Sequence, residues 1–305
     1  MIYSSPLRYP GGKGKWANFM RLLFEENSII GGDYIEPFAG GAAVALHLLY
    51  SGYANRIFLN DINKSIYAFW YSTLHSNDKL CSLISDTKIT IDEWYKQKSI
   101  QLNGNKHDLL ELGFSTFFLN RTNRSGIILG GVIGGKGQRG NWQLDARFNK
   151  DDLIKRIQKI GQNSKKIKIF NQDARIFLNK NIKKFNKNSL IYLDPPYYVK
   201  GKGLYENHFQ DNDHSELANQ VKNNIPSKWV VSYDNVDFIK TLYSDCKMIS
   251  YDLNYVVREF SRGSEVMFFS DDITIPNVKS PVSVLIPKGT KERISSSTLE
   301  FFLGA

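Results

Sequence analysis

Short apolar runs and helix-like segments alternate over the first part of the chain. Residues 33–38 (DYIEPF) form an apolar run that leads into a Gly-Gly turn, after which AAVALHLLYSG has helical spacing. A second apolar run, residues 56–63 (RIFLNDIN), follows and contains an acid near its end. This succession of strand, glycine turn, helix and strand predicts a βαβ unit and therefore a parallel sheet.

The alternation resumes in the second half of the chain. Apolar runs that predict further strands cover residues 167–178, 189–198, 228–235, 250–257 and 264–270. The turn residues SRGS separate the last two runs, which predicts a hairpin at the edge of the sheet. The whole pattern predicts an α/β fold, a Rossmann-like mixed seven-stranded sheet with helices on both faces.

A segment between the two halves, residues 65–149, breaks this alternation. Its helical spacing runs to about residue 120 and gives way to a basic, glycine-rich stretch, NRTNRSGIILGGVIGGKGQRGNW. We interpret it as an inserted domain of helices and a β-hairpin, with residues 1–64 and 150–305 forming the main domain. Beyond about residue 272 the chain has little periodicity, and the pattern predicts no element there.

Composition narrows the class of protein. The chain has no run of about 18 apolar residues and no apolar signal core near its start, so we expect a soluble, cytoplasmic protein without membrane contact. Its two cysteines, Cys81 and Cys246, and its five histidines show no ligand spacing, which argues against a disulfide framework and a metal site. We expect a monomer or a weak dimer.

The formal net charge of +10 favours a polyanionic partner such as nucleic acid. Lysine and arginine neutralise phosphates in a way that does not depend on sequence. A composition rich in Lys, Asn and Ile can equally follow from an AT-rich coding sequence. Charge alone therefore leaves both explanations open.

The first candidate site joins the glycine turn to the acid after the second predicted strand. Glycines between a strand and a helix let the backbone approach a bound small molecule. Asp61 lies twenty residues after Gly41, where Rossmann-like sheets place a carboxylate that accepts both ribose hydroxyls. The GxGxxG fingerprint of dinucleotide sites is absent. This combination favours an adenosine-containing ligand, although a glycine pair alone is commonly only a tight turn.

The second candidate site is the tetrad Asp194, Pro195, Pro196 and Tyr197, which follows a strongly apolar strand. Ligands of open α/β sheets lie at this carboxyl edge. The two prolines fix the backbone and remove two N–H donors, so the turn offers rigid carbonyl oxygens. The alternative for an isolated tetrad is an ordinary turn that closes a strand.

A carboxylate beside a rigid carbonyl suits a planar amino group. The exocyclic amine of adenine is a poor nucleophile because its lone pair is delocalised into the ring. Hydrogen bonds from its protons to Asp194 and to the Pro195 carbonyl would return electron density to the nitrogen and stabilise the developing positive charge. Tyr197 adds an aromatic face on which an extrahelical base can stack. The tetrad therefore has the groups that methylation of an adenine amine requires.

The order of these motifs resembles that of the Dam-like, α-class N(6)-adenine DNA methyltransferases over most of the chain. The matching segments are residues 9–13 (YPGGK) for the N-terminal cofactor motif, 36–41 for the glycine motif, 60–63 for the ribose motif, 120–122 for the DNA-binding region and 194–197 for the catalytic motif. The resemblance implies a methyltransferase sheet and transfer of a methyl group from S-adenosylmethionine to a flipped-out adenine in double-stranded DNA. A cognate restriction endonuclease is a further candidate partner.

The resemblance also implies roles for individual residues. The cofactor contacts it implies are Tyr9, Gly12, Lys13, Phe38, Gly40, Asp61, Asp173 and Asp194, and the catalytic residues are Asp194, Pro195, Pro196 and Tyr197. Asp173 is equally well explained as a helix cap. The DNA contacts we predict in the inserted segment are Arg121, Asn123, Arg124, Lys136 and Arg139. A solvated basic loop is the alternative for these cations.

Three further segments refine this interpretation. Residues 123–126 (NRSG) differ from the corresponding residues of family members that read GATC, so the recognition sequence is not predicted. Residues 130–136 fit the P-loop pattern GxxxxGK, but Gly137 stands where that loop needs Ser or Thr. Residues 199–210 contain Tyr205, His208 and Phe209 and are a candidate lid over the adenine.

Rival functions come from other classes. An RNA adenine methyltransferase fits the same motifs, and methyl transfer to matched DNA and RNA separates the two. Protein-amide methyltransferases usually begin the tetrad with Asn, so Asp194 argues against them. A non-catalytic DNA-binding relative is disfavoured because the expected pocket residues are all present, and cofactor binding tests it.

Overall fold

Seven strands form one mixed sheet in the part of the chain that the computed structural model describes, residues 5–8, 13–199, 209–257 and 259–284. The strands are β1 (Gly32–Glu36), β2 (Ala54–Asn60), β3 (Ile167–Phe170), β4 (Leu190–Leu193), β5 (Lys228–Asp234), β6 (Lys247–Val257) and β7 (Glu259–Phe269). Their order in the sheet is β3-β2-β1-β4-β5-β7-β6. The predicted mixed seven-stranded sheet is confirmed.

The central strands are parallel, and the last two run as an antiparallel hairpin. β1 pairs in parallel with β2 and β4, and β4 pairs in parallel with β5. β7 is antiparallel to both β5 and β6. All residues of β1 and β4 are buried, and β4 (LIYL) is accordingly apolar throughout.

Ten α-helices occur in the described residues. They are α1 (Ala17–Glu26), α2 (Ala43–Tyr50), α3 (Lys64–His75), α4 (Asn77–Asp86), α5 (Ile91–Leu102), α6 (Leu109–Thr122), α7 (Lys150–Gln162), α8 (Ala174–Asn181), α9 (Asp211–Asn224) and α10 (Asp237–Leu242). The helix α2 follows β1 after the glycine turn, as the sequence predicts. None of the helices in the described ranges is long and apolar enough to cross a membrane.

The edge hairpin is longer than predicted, and its turn lies elsewhere. The sequence places the turn at residues 261–264, whereas these residues belong to β7, which pairs with β6 along its whole length. β6 ends at Val257 and β7 begins at Glu259, and these two residues are paired with each other. Cross-strand pairing therefore outweighs the turn preference of the Ser and Gly residues.

The β-hairpin predicted in the inserted segment is reduced to one antiparallel bridge, between Asn123 and Val132. Beyond this bridge, Gly134 (φ +80°), Gly135 (φ +73°) and Gln138 (φ +48°) adopt left-handed backbone conformations. Extended strands cannot form where successive residues have positive φ. Residues 133–149 accordingly contain turns and no strand.

The chain divides into two compact units by its internal contacts. The first comprises Met1–Gly12, Gly40–Ala43 and Asn60–Gln172, and the second comprises Lys13–Ala39, Val44–Leu59 and Asp173–Ala305. Within the first unit, α6 packs against α3 and α5, and the rings of Phe69 and Phe117 stack at 6.0 Å. The predicted limits of the inserted domain, residues 65–149, stay a prediction.

Candidate active site

The side chain of Asp61 is fixed by backbone groups at the end of β2. Its Oδ2 accepts a hydrogen bond from the Gly40 N–H, and its Oδ1 accepts one from the Asn63 N–H, each over 2.9 Å. Gly40 has φ +45°, a conformation that favours glycine. Burial raises the pKa of Asp61 to about 6, although both backbone hydrogen bonds oppose this shift.

Two neighbours of Asp61 complete its surroundings. The Asn63 side chain accepts hydrogen bonds from Ser65 N and Ile66 N and so caps α3. The indole Nε1 of Trp70 donates to the Gly40 carbonyl over 2.9 Å. Ile62 is 49% exposed although it is a large apolar residue. The sequence reasoning missed Ile62, and its signal is an apolar residue directly after the acid that ends a strand.

Asp194 lies immediately after β4 and is held by a residue of the neighbouring strand. The Ser232 hydroxyl donates a hydrogen bond to Asp194 Oδ1 over 2.8 Å. The Tyr192 hydroxyl lies 2.8 Å from the same Ser232 oxygen. Because Ser232 gives its only proton to Asp194, Tyr192 is the donor in this second bond. Asp194 is partly exposed, whereas Tyr192 and Ser232 are buried.

A second acid is buried near Asp194. Glu36 ends β1 and is 4% exposed. Burial raises the pKa of Glu36 to about 8; the negative charge of Asp194 adds to the shift, while Tyr34 and the Ala45 N–H oppose it. Glu36 is therefore mostly protonated at neutral pH. The sequence reasoning gave Glu36 no role, and its signal is an acid directly after the apolar pair Tyr34 and Ile35 at the end of a strand.

The backbone after the two prolines is held by a carboxylate of β5. Asp234 accepts the N–H of Tyr198 at one oxygen and the N–H of Val199 at the other, each over 2.9 Å. Asp234 is 5% exposed, so these bonds also satisfy a buried charge. The tetrad therefore sits on a turn that is fixed from β5, and Asp234 is a second residue that the sequence reasoning missed.

Tyr197 is partly exposed, and its hydroxyl donates a hydrogen bond to Glu265 of β7. The Tyr251 hydroxyl donates to the other carboxylate oxygen of Glu265 over 3.0 Å. Trp16 packs edge-on against Tyr251, with ring centroids 5.8 Å apart, and against Tyr192, with centroids 6.0 Å apart. Trp16 therefore contacts Tyr192, which is bonded to Asp194 through Ser232. It also contacts Tyr251, which shares the Glu265 carboxylate with Tyr197.

An aromatic cluster of the second unit includes Phe38. The Phe38 ring packs edge-on against Phe209, with centroids 5.9 Å apart. Phe209 in turn contacts His214, which is 1% exposed and has its Nδ1 2.9 Å from the Tyr233 hydroxyl. Burial lowers the pKa of His214, which keeps the imidazole neutral at pH 7.

The helix α9 that carries His214 begins at Asp211, and Gln210 and Asp213 form its capping box. The Asp213 carboxylate accepts the Gln210 N–H over 2.9 Å. Glu216 forms an ion pair with Arg175.

Asp173 is the N-cap of α8. It accepts hydrogen bonds from the N–H groups of Arg175 and Ile176 and pairs with the Arg175 side chain at 3.3 Å. Its pKa is lowered by these contacts, which outweigh the effect of burial. This is the helix-cap alternative that the sequence left open, and the cofactor contact stays a prediction.

Asn120 connects the inserted segment to the residue before the N-terminal motif. Its side chain accepts the Arg8 N–H over 2.7 Å and donates to the Arg8 carbonyl over 2.6 Å. Gly126 (φ +77°) allows this close approach, because a Cβ there would lie 2.5 Å from the Arg8 carbonyl oxygen. Asn120 is 1% exposed. Asn120 therefore links α6 to the backbone of Arg8 within the protein.

Asn123 is fully buried, and its side chain is used within the protein. It donates to the carbonyls of Ile127 and Ile128 over 3.0 and 2.8 Å, and it accepts the Trp94 Nε1 proton over 2.7 Å. This placement argues against the direct DNA contact that the sequence suggests for Asn123. Its amide instead closes the turn that follows α6.

Several arginines lie close to this link between Asn120 and Arg8. Arg121 Nε donates to the Arg147 carbonyl over 2.8 Å, and an Arg8 nitrogen donates to the Asn123 carbonyl over 3.2 Å. Burial, followed by the charges of neighbouring arginines, lowers the pKa of Arg121 to about 10. Those neighbours are Arg8, Arg156 and Arg147. Of these, Arg156 is ion-paired with Asp152 at 2.6 Å.

The remaining predicted DNA contacts lie on the surface. Arg124, Lys136 and Arg139 are exposed. Lys136 lies 5.8 Å from the ring centre of Tyr95, which is 47% exposed. Trp142 is 66% exposed, and the Arg147 guanidinium lies 5.7 Å from the centre of its ring. This segment therefore offers cations and aromatic faces together.

Some predicted residues lie outside the described part. These are Tyr9, Gly12, Tyr205 and His208, and the side chain of Lys13 is also outside it. Within the described residues, no group of three or more His, Cys, Asp or Glu side chains could hold a metal ion.

Comparisons with known proteins agree with the motif order. Residues 9–257 match a family model described as D12 class N6 adenine-specific DNA methyltransferase. The chain is similar to the Type II methyltransferase M.MjaIII of Methanocaldococcus jannaschii, with 28% identity over 233 residues that cover 69% of this chain and 76% of the relative.

A solved structure is also similar. It is a candidate RNA methyltransferase, PH1948 from Pyrococcus horikoshii, with a TM-score of 0.39, 12% identity and coverage of 87% of this chain and 86% of that one. The family match spans most of the sequence, and so the chain belongs to the D12 class N6 adenine-specific DNA methyltransferases.

Proposed function

We propose that the protein uses S-adenosylmethionine to methylate the N6 amine of an adenine that it flips out of double-stranded DNA. The observation that carries this proposal is the support of Asp194, whose carboxylate is held by Ser232 and Tyr192 at the end of β4. A carboxylate fixed at the carboxyl edge of a parallel sheet is placed where such sheets bind ligands. When bound, S-adenosylmethionine supplies an electrophilic methyl group on a sulfonium.

The surroundings of Asp61 fit the ribose of this cofactor. The carboxylate is partly exposed, and the N–H groups of Gly40 and Asn63 use one lone pair on each oxygen. Each oxygen keeps a second lone pair for a ribose hydroxyl. Ile62 offers an exposed apolar surface directly beside this acid for the adenine ring of the cofactor. Further proposed cofactor contacts are Tyr9, Gly12, Lys13, Phe38, Asp173 and Asp194.

Asp194 and the Pro195 carbonyl would hold the two protons of the target amine. Accepting both hydrogen bonds increases electron density on N6, the atom that is methylated, and stabilises its developing positive charge. Ser232 fixes the orientation of the carboxylate, so little reorganisation is needed during the reaction. Proton loss follows methylation and needs no strong base, since Asp194 or water can take the proton. Tyr197 would stack on the flipped base.

The inserted segment would bind the DNA backbone. Within the described part of the chain, Arg8, Arg121, Arg124 and Arg147 form no ion pair, and burial, followed by the charges of neighbouring arginines, lowers the pKa of Arg121. A phosphate would relieve this mutual repulsion and leave charge-assisted hydrogen bonds. Exposed Lys136 and Arg139 would add contacts to phosphates or base edges. The similarity to a Type II methyltransferase further supports a companion restriction endonuclease as a partner.

Product analysis tests the proposal. The protein is incubated with tritiated S-adenosylmethionine and either polymerase-made DNA, which carries no methylation, or RNA of the same sequence. We expect N6-methyladenine in the DNA, within one short sequence that sequencing for modified bases identifies. Equal transfer to RNA favours the RNA rival, and a protein that neither binds the cofactor in calorimetry nor transfers label contradicts the proposal.

A further inference from the structure

A buried acid of β7 binds two tyrosine hydroxyls. Glu265 is 1% exposed and accepts hydrogen bonds from Tyr197 and Tyr251, one at each carboxylate oxygen. A buried carboxylate is unfavourable unless donors surround it. Tyr251 is itself buried, whereas Tyr197 is partly exposed. The acid therefore joins a buried tyrosine to a partly exposed one.

The residue paired with Glu265 across the sheet binds the backbone next to Tyr197. Asp234 of β5 and Glu265 of β7 are directly opposite each other in the antiparallel pair. Directly opposite residues of antiparallel strands project to the same face of the sheet. Asp234 accepts the N–H groups that follow Tyr197, and Glu265 accepts the Tyr197 hydroxyl. The tetrad is thus held by its backbone and by its ring.

A tyrosine side chain normally rotates about two bonds, so an untethered ring on a turn samples several orientations. A hydrogen bond from its hydroxyl to a buried carboxylate selects one orientation. Trp16 limits movement of the second donor, since it packs against Tyr251 at 5.8 Å. Stacking of an extrahelical base gains from a platform that is ordered in advance.

We infer that Glu265 is a positioning residue that fixes the Tyr197 ring as the stacking surface for the target adenine. This inference rests on the proposed function of Tyr197. Glu265 itself does not touch the adenine. Its effect passes through the hydroxyl of Tyr197, so removing that hydroxyl removes the effect of Glu265.

A double-mutant cycle tests this coupling. The variants are Glu265→Gln, Tyr197→Phe and the double variant, each assayed in single turnover with tritiated S-adenosylmethionine and saturating unmethylated polymerase-made DNA. Each single change should lower the rate constant by about tenfold, as expected for a lost hydrogen bond to a charged group. The double variant should be no slower than either single variant. The calorimetric Kd for S-adenosylmethionine should not change.

The amplitude of the single turnover separates positioning from folding. A purely structural role of Glu265 would lower the fraction of active enzyme and leave the rate constant of that fraction unchanged. Rate losses that multiply in the double variant, or rate constants equal to wild type, overturn the inference. If Glu265→Gln does not fold, Tyr197→Phe alone decides, because an unchanged rate constant in that variant also overturns it. A wild-type protein that transfers no label contradicts the proposed function instead.

Discussion

Ser232 on β5 donates a hydrogen bond of 2.8 Å to the carboxylate of Asp194, which follows the neighbouring strand β4. Ser232 is fully buried, and the Tyr192 hydroxyl lies behind it. Ser232, which is held within the sheet, therefore restricts the orientation of the partly exposed Asp194 carboxylate. This relationship makes Asp194 a fixed acceptor, and it leads to the first prediction.

Replacing Ser232 with alanine should lower the single-turnover rate of methyl transfer by about tenfold, because Asp194 loses a hydrogen bond to its charged form. The Kd for S-adenosylmethionine should stay within about twofold of wild type. Tyr192→Phe, which removes only the bond behind Ser232, should have a smaller effect. Ser189→Ala is the matched control, since Ser189 is also fully buried but bonds to the Asn186 carbonyl. Equal losses in the Ser232 and Ser189 variants would contradict the assignment.

Cofactor affinity should depend on pH through Asp61. The pKa of Asp61 is raised to about 6, and only the ionised carboxylate accepts hydrogen bonds from two ribose hydroxyls. Binding should therefore strengthen as pH rises through 6, and at pH 5 only about a tenth of the protein is ionised at this position. We expect the calorimetric Kd for S-adenosylmethionine to be about tenfold higher at pH 5 than at pH 7.5. Asp61→Asn should bind weakly at both pH values, and a pH step that persists in this variant assigns the titration to another group.

Stability should fall between about pH 4.5 and pH 8 because of Glu36. Its pKa is raised from 4.5 to about 8, so the folded state holds a proton that the unfolded state releases near pH 4.5. The contribution of Glu36 to the free energy of unfolding is fully present below pH 4.5 and is lost as pH rises through 8. Each pKa unit is worth about 1.4 kcal/mol, so the loss amounts to several kcal/mol.

Urea unfolding between pH 4.5 and pH 9 measures this loss. Glu36→Gln, whose side chain stays neutral, should remove most of the slope, whereas Glu216→Gln, at an exposed ion pair, should keep it. The same slope in wild type and in Glu36→Gln would show that the titrating group lies elsewhere.

DNA binding should weaken when cations of the inserted segment are removed. Arg124→Ala should raise the Kd for unmethylated duplex DNA and lower the slope of log Kd against log salt by about 1, as expected for one lost phosphate contact. Cofactor affinity should not change. Lys222→Ala is the control, since the charge of Lys222 is already paired with Asp245 at 2.8 Å. An unchanged salt slope in Arg124→Ala would remove Arg124 from the phosphate contacts.

The sequence was informative where chemistry is local. Asp61 and Asp194 could be found because each is an acid directly after an apolar run. In the structure both runs are strands, β2 and β4. The order of the five matching segments identified the family. Periodicity also predicted seven strands, although only residues 167–170 of the run 167–178 are strand and Ala174–Asn181 form α8. The signal is clearest in β4, because burial on both faces of a parallel sheet favours a continuous apolar run.

The supports of the site could not be predicted, because they depend on strand register. Ser232 and Glu265 lie 38 and 68 residues beyond their partners in the tetrad. Only the pairing of β4, β5 and β7 brings them to the same place. In the sequence, Ser232 is one polar residue in an apolar run, which is compatible with many roles.

The asparagines of the inserted segment show a second limit of prediction from the sequence. Asn120 belongs to a motif that resembles a DNA-binding region, and Asn123 directly follows that motif, yet both side chains are buried and bonded within the protein. A polar residue in a loop has the same signal whether it faces solvent or closes a turn. The neighbouring arginines could be recognised as cations, but their mutual proximity depends on Arg8, which is more than a hundred residues away in the chain.

The central claim is that Asp194 makes the target amine reactive, and Asp194→Asn tests it most directly. The variant keeps the size of the side chain but replaces a charged acceptor with a neutral amide. Single-turnover transfer from tritiated S-adenosylmethionine to unmethylated DNA should fall by at least about a hundredfold, while calorimetry shows cofactor and DNA still bound. Transfer at the wild-type rate in Asp194→Asn would contradict the account.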